Sequence, residues 1–421
     1  MTRIVTAAAM IFAAAASPVA ASDQVPGSLP EGPVAIVGAT VHTASGDVFR
    51  EATVVIDAAR IVAVGPDVAV PEGAETVDGS GKHVYPGLFD AFTELGLHEI
   101  SSVRASDDAR ESGSLNPNVR SDKAINPDSE VIPVTRTNGV LLALTAPAGG
   151  IVAGQAAVIQ LDGWTTEDMT VRPRAAMIVS LRSDDSVQRL TDFLDDAEAY
   201  LAAVDAGENP PHDLKLEAMR DVLAGKQPVI VRADRWTSIE RAAAMAGARG
   251  VRLVLLGGAD AERVAPLLKK YDVPVIISAT HRKPISRDAR YDAAYTLPAR
   301  LKAAGVRFCI SGYDRAETWN TRNLAYHAAT AAAFGLSPED ALRSITLSPA
   351  EILGVADRVG SIAEGRDATL ILADGDILET TTNVLQAWVA GRPVDLDNKQ
   401  TELYRKYQAK YGDVEPAADS E

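Results

Sequence analysis

Short apolar runs broken by turn residues open the chain. Runs at 34–41, 53–56, 61–64 and 76–77 are separated by Ser45-Gly46-Asp47 and Gly79-Ser80-Gly81, the punctuation of an all-β segment. The same style returns late, at 368–373 and 384–390, with Asp374-Gly375-Asp376 and Gly391-Arg392-Pro393 as turns. Between these ends, apolar runs alternate with helical patterns. Eight strands are predicted, at 84–89, 140–144, 156–160, 175–181, 228–233, 252–257, 273–279 and 307–311. The last four are apolar on both faces, as in a parallel sheet covered on each side. Helical segments at 186–204, 214–223, 238–246, 259–270 and 297–304 separate the later strands. Eight strands over roughly 230 residues match a barrel. The predicted fold is α/β: a (β/α)₈ TIM barrel plus a small β-sandwich built from both chain ends.

The domain layout follows. Residues 1–21 read as a signal peptide: Arg3, a short apolar stretch at 4–16, Ser17-Pro18, and a small-residue cleavage site with the cut after Ala21. That stretch is too short to span a bilayer. Residues 22–33 are a linker, 34–83 and 360–398 the composite sandwich, 84–359 the barrel, and 399–421 a C-terminal helix (404–411) with an acidic end, 413–421, expected to be disordered. Ser337-Pro338 reads as an N-cap with Pro at the first helical position. Ser348 with Glu351 reads as a capping box. Residues 98–139 form a long irregular insertion.

Charge and cysteine content narrow the class. The formal net charge is −16, and loss of Arg3 makes the mature chain −17. An acidic surface disfavours nucleic acid and anionic membranes as partners. The single cysteine, Cys309, lies in an apolar run, so the chain has no internal disulfide and Cys309 reads as a buried strand residue rather than a nucleophile. Export without disulfides points to a bacterial periplasm.

Three stretches resemble the amidohydrolase superfamily, most nearly its imidazolonepropionase-like and secreted dipeptidase-like branch. They are Gly81-Lys82-His83-Val84-Tyr85-Pro86-Gly87-Leu88-Phe89-Asp90, then Ser311-Gly312-Tyr313-Asp314, and the region 337–372 with Thr346-Leu347-Ser348-Pro349-Ala350 and Gly365-Arg366-Asp367-Ala368. The resemblance implies one or two divalent metals, such as zinc, at the C-terminal ends of the barrel strands, and hydrolysis of carbon–nitrogen bonds in an amide, cyclic amide or dipeptide-like substrate.

Compared with that pattern, the metal-ligand set is degraded. Where the family has D-x-H-x-H, this chain has Asp90-Ala91-Phe92-Thr93-Glu94, so Phe92 and Glu94 stand at the histidine positions. Residues 124–214 hold no lysine, which removes a carboxylated bridging ligand from strands two to four. Arg232 takes the histidine position of strand five, and guanidinium has no lone pair to give. Leu255-Leu256-Gly257-Gly258-Ala259-Asp260 brings no histidine on strand six, and Asp260 reads as a helix N-cap. Asp314 and Glu94 remain as catalytic candidates. Arg232, Asp234, Asn323, Arg104 and Arg120 are candidates for substrate binding in a charged mouth. Glu94, His98, His281 and Asp314 form one conceivable replacement metal set; the other histidines read as surface or packing residues. Two functions stay open: a hydrolase with an altered or lost metal site, and a non-catalytic pseudoenzyme that binds a small molecule or partners an active paralogue. Homo-oligomerisation also stays open.

Overall fold

The computed structural model describes residues 24–100, 103–313 and 318–412. The leader with its cleavage point, Asp314 and the acidic end from 413 lie outside the described residues. In chain order, the first strands are β1 (Val34–His42), β2 (Val48–Asp57), β3 (Arg60–Gly65), β4 (Glu75–Asp78) and β5 (His83–Pro86). The barrel strands follow: β6 (Leu88–Thr93), β7 (Val140–Thr145), β8 (Val152–Gln160), β9 (Thr170–Val179), β10 (Val229–Ala233), β11 (Leu253–Gly257), β12 (Val275–Ser278) and β13 (Phe308–Ser311). β14 (Leu370–Ala373), β15 (Val384–Val389) and β16 (Arg392–Pro393) close the series.

Both chain ends build one sheet, ordered β16-β15-β14-β5-β1-β2-β3 with β4 on β1. β14 pairs antiparallel with β5, Ile371 opposite Tyr85 and Leu372 opposite Val84. Val84 and Tyr85 therefore belong to this sheet, not to the barrel strand expected at 84–89. Pro86 lacks an N–H, and a Cβ on Gly87 would meet Leu141 Cβ at 2.9 Å. The chain crosses between the sheets at this tight point, and the first barrel strand starts at Leu88.

The second sheet runs β6 to β13 in sequence order, with β13 and β6 side by side at its ends. Seven strands run parallel. β8 runs antiparallel to both β7 and β9. The six residues between β7 and β8 (146–151) are too few for a parallel crossover, which needs a dozen or more. They form a turn through Gly149 and Gly150, at φ +94° and +62°. From β9 onward, helices separate the strands, among them Asp184–Asp205, Trp236–Arg249 and Ala293–Ala303. The insertion is partly ordered: a helix at Val131–Arg136, and bridges that lay Leu115 and Arg120 beside Val152 and Gln155 of β8.

Two capping expectations resolve differently. Ser337 accepts from the Asp340 N–H, as expected. Ser348, however, lies inside the helix Leu347–Ile352, whose N-cap is Thr346. Ser348 instead accepts from Arg343, as does Glu351. Asp260 precedes a 3₁₀ turn without capping it; its carboxylate accepts from the Trp236 N–H at the start of the neighbouring helix.

Strand alternation sorts the barrel side chains. Ile178, Ile230, Leu256, Ile276 and Cys309 pack inside the barrel with Phe89, Phe92 and Leu144. Their neighbours Met177, Val231, Leu255, Ile277 and Ile310 pack outward against the helices. Cys309 is thus a small apolar filler, fully buried. The helix Leu347–Ile352 and the following turn close one end through Ala350, Leu353 and Val355.

Candidate functional site at the barrel mouth

Period-two alternation also fixes what stands above the apolar filling. One step beyond Ile178, Ile230, Ile276 and Cys309 on the same face come Ser180, Arg232, Ser278 and Ser311. Three hydroxyls and a guanidinium therefore form the inward layer at the C-terminal strand ends. Ser278 Oγ is buried without a hydrogen-bond partner. Arg232 reaches solvent, with its guanidinium carbon 5.7 Å from the Tyr313 ring centre, a cation–π distance. Tyr313 meets Phe92 edge-on at 4.8 Å between ring centres. Phe92 is buried and fills the place at the strand end where an imidazole was sought.

Asp90 ties the first strand to the last. Its carboxylate accepts from Ser311 Oγ at 2.6 Å and from the backbone N–H of Gly312 and Phe92, each at 3.2 Å. A Cβ on Gly312 would come to 3.1 Å from Asp90 Oδ2, so glycine lets the loop approach the carboxylate. Asp90 is fully buried, and that burial raises its carboxyl to about 6 against the pull of these donors.

Glu94, at the end of β6, is buried at 3% exposure. Burial raises its carboxyl; Arg110 and His98 pull it down and Asp107 pushes it up. Tyr313 is raised by burial and by Glu94, while Arg232, Arg110 and Arg182 oppose that rise. Glu94, Tyr313 and three arginines thus share the mouth. Arg182 is held by a 3.2 Å bond from Nε to Ser180 Oγ. Among the described residues, none of these three arginines has a carboxylate within ion-pair distance.

The other candidates take different places. Asp234, just after β10, accepts from Arg282 at 3.3 Å. Asn323 precedes the helix Leu324–Ala333 with no side-chain cap bond. Arg104 is exposed and donates to the Asp107 carbonyl within the insertion. Arg120 is tied to Asp122. His98 lies 3.5 Å from Asp107, while His281 bonds Thr330 Oγ1 at 2.6 Å and packs against His327. The described members of the replacement metal set do not converge: among the described residues, no three His, Cys, Asp or Glu side chains could hold a metal together. Arg110 lies in the insertion 98–139, whose charged residues were expected at the mouth, whereas Asp90, Ser278, Arg182 and Tyr313 were not expected there. The adjacency of Tyr313 to Asp314 in the strand-eight motif was the one available signal.

An amidohydrolase-family profile matches residues 211–394. The imidazolonepropionase of Acidiphilium cryptum is 25% identical over 390 residues, covering 80% of this chain and 89% of that protein. The amidohydrolase tasK of Hapsidospora irregularis is also 25% identical, over 381 residues; they are 77% of this chain but only 38% of that longer protein. A crystal structure of an amidohydrolase from Thermotoga maritima MSB8 superposes with a TM-score of 0.78 at 25% identity, covering 86% of this chain and 99% of that one. In sequence and in fold this chain is similar to the amidohydrolase superfamily. Members of that superfamily typically depend on metal. Among the described residues the donor set does not fit one: the strand-end positions hold phenylalanine, arginine and serine, Asp90 is taken up by Ser311 and two N–H groups, and no three His, Cys, Asp or Glu side chains come together with Glu94.

Proposed function

We propose that this chain binds a small anionic organic molecule in the barrel mouth without a resident metal. One observation carries the reading: the inward layer at the strand ends is Ser180, Arg232, Ser278 and Ser311 over Phe92. The solvent-exposed Arg232 guanidinium supplies positive charge where a metal would otherwise face the ligand, and the buried Ser278 hydroxyl belongs to the same layer. Among the described residues, Arg110, Arg182 and Arg232 pair with no carboxylate, although the chain as a whole is acidic.

The decisive experiment combines metal analysis of the purified chain with thermal-shift titration against a panel of small carboxylates. The expected outcome is substoichiometric metal, no change in midpoint with chelator, and a carboxylate-dependent rise that Arg232→Ala abolishes. Stoichiometric zinc, or stabilisation that survives Arg232→Ala, overturns the reading.

A second reading is hydrolysis of a carbon–nitrogen bond, supported by the superfamily relatives and by buried Glu94, a carboxyl that retains its proton to higher pH than an ordinary glutamate. Glu94 and Asp314 would then manage the proton. Turnover of N-acyl amino acids, cyclic amides or dipeptides that disappears in Glu94→Gln would establish it. Export and a periplasmic setting belong to the same proposal, supported by the residue pattern at 1–21. N-terminal sequencing of the periplasmic protein should begin at Ser22.

A further inference from the structure

Outside the mouth, a cavity of about 600 Å³ lies between the loop after β12 and the helix Ala293–Ala303. That volume is within the usual range for a small-molecule site. Its lining combines apolar Ile285, Ala293 and Phe334 with cationic Arg282 and Lys283. We propose that this cavity is a second binding site, for an organic carboxylate with an apolar body.

Arg282 is the anchor. Its side chain is 13% exposed, and Nη1 reaches Asp234 at 3.3 Å. Its Nε is buried with no hydrogen-bond partner. A carboxylate entering the cavity would meet the Arg282 and Lys283 side chains on its lining, where charge-assisted bonds favour it. Lys283 is exposed on the same lining and has no ion pair among the described residues. The other two arginines of the lining are already engaged, Arg290 by Asp292 and Arg300 by Glu262. The one lining carboxylate, Asp260, accepts from the Trp236 N–H and is 4.0 Å from Arg263. Arg282, which contacts Asp234 at 3.3 Å, and Lys283 therefore carry the cationic character of a lining that also holds apolar side chains. Arg235 donates to the Ile285 carbonyl at 3.1 Å and holds the loop over the cavity. The ligand suited to this arrangement is monoanionic at one end and hydrocarbon at the other.

Isothermal titration of the whole chain with octanoate tests the proposal, with octanol as the uncharged control. Saturable binding of octanoate and none of octanol is expected, weakened about tenfold or more in Arg282→Gln and several-fold in Lys283→Glu. Lys283 is exposed, so its variant reports on the site even where Arg282→Gln perturbs folding. Absence of saturable octanoate binding overturns the proposal, as does equal binding of octanol. Binding that is lost in Arg232→Ala but kept in Arg282→Gln places the ligand in the mouth and equally overturns it.

Discussion

Asp90 is the residue on which barrel closure turns, and it makes the fold sensitive to pH. Its carboxyl sits at about 6 when folded, against an ordinary value of 3.8, because burial disfavours the charge more than Ser311 and two N–H donors favour it. As pH rises, the unfolded chain releases this proton first. The group's contribution is therefore greatest below about pH 4, falls through the interval up to about pH 6, and is level above it. The gap corresponds to about 3 kcal/mol. Asp90→Asn cannot ionise and should lack this decline, which urea unfolding at pH 4, 5, 6 and 7 would reveal as a flatter profile than wild type. Identical profiles would rule out the role. The latch was not legible in the sequence, although Asp90 and Ser311 both stood in quoted motifs. They are 221 positions apart, and only barrel closure makes them neighbours. Phe92 and Arg232, by contrast, were legible, because a motif position can be compared residue by residue.

At the level of elements, Asp162, just after β8, ties several segments together. It accepts from Arg136 of the insertion helix at 2.7 Å, lies 3.6 Å from Arg392 of β16, and accepts from the Gly27 N–H at 3.2 Å. The pair with Arg136 is buried on both sides, at 6% and 2% exposure. Asp162→Ala should cost about 3–5 kcal/mol, because it leaves the buried Arg136 guanidinium without its ion-pair partner. Chemical denaturation should show this as a lower midpoint with the slope unchanged. The strands β10 to β13 were readable as apolar runs because both faces are buried. The direction of β8 was not, since a strand's own alternation is the same whichever way it runs. The signal lay in the connection at 146–151, too short to cross over. The cap at 346–348 failed for a related reason: Thr346 and Ser348 are both plausible starts, and the bond from Arg343 to Ser348 removes the second from that role.

For the whole molecule, the last helix and the strands that precede it differ sharply in what they hold. The helix Lys399–Tyr411 buries no side chain, and Arg322 to Gln400 is an exposed contact. Removing 399–421 should therefore shift the thermal midpoint by less than about 3 °C. Ending the chain at residue 369 should be far more damaging. It strips β14, β15 and β16, uncovering Tyr85 and Val84 on β5 and deleting Leu370, Ile371, Leu372 and Trp388, all nearly fully buried. A composite sheet cannot complete its core from one end of the chain, and β5, still paired with β1 but stripped of β14, would present a bare edge to other molecules. Soluble yield and calorimetry on the two truncations check this directly: the shorter deletion should give a cooperative transition close to that of the full chain, and the longer one aggregated protein without a transition. Comparable melting of both would mean that the barrel folds without the C-terminal strands, and that their pairing with β5 adds little to its stability.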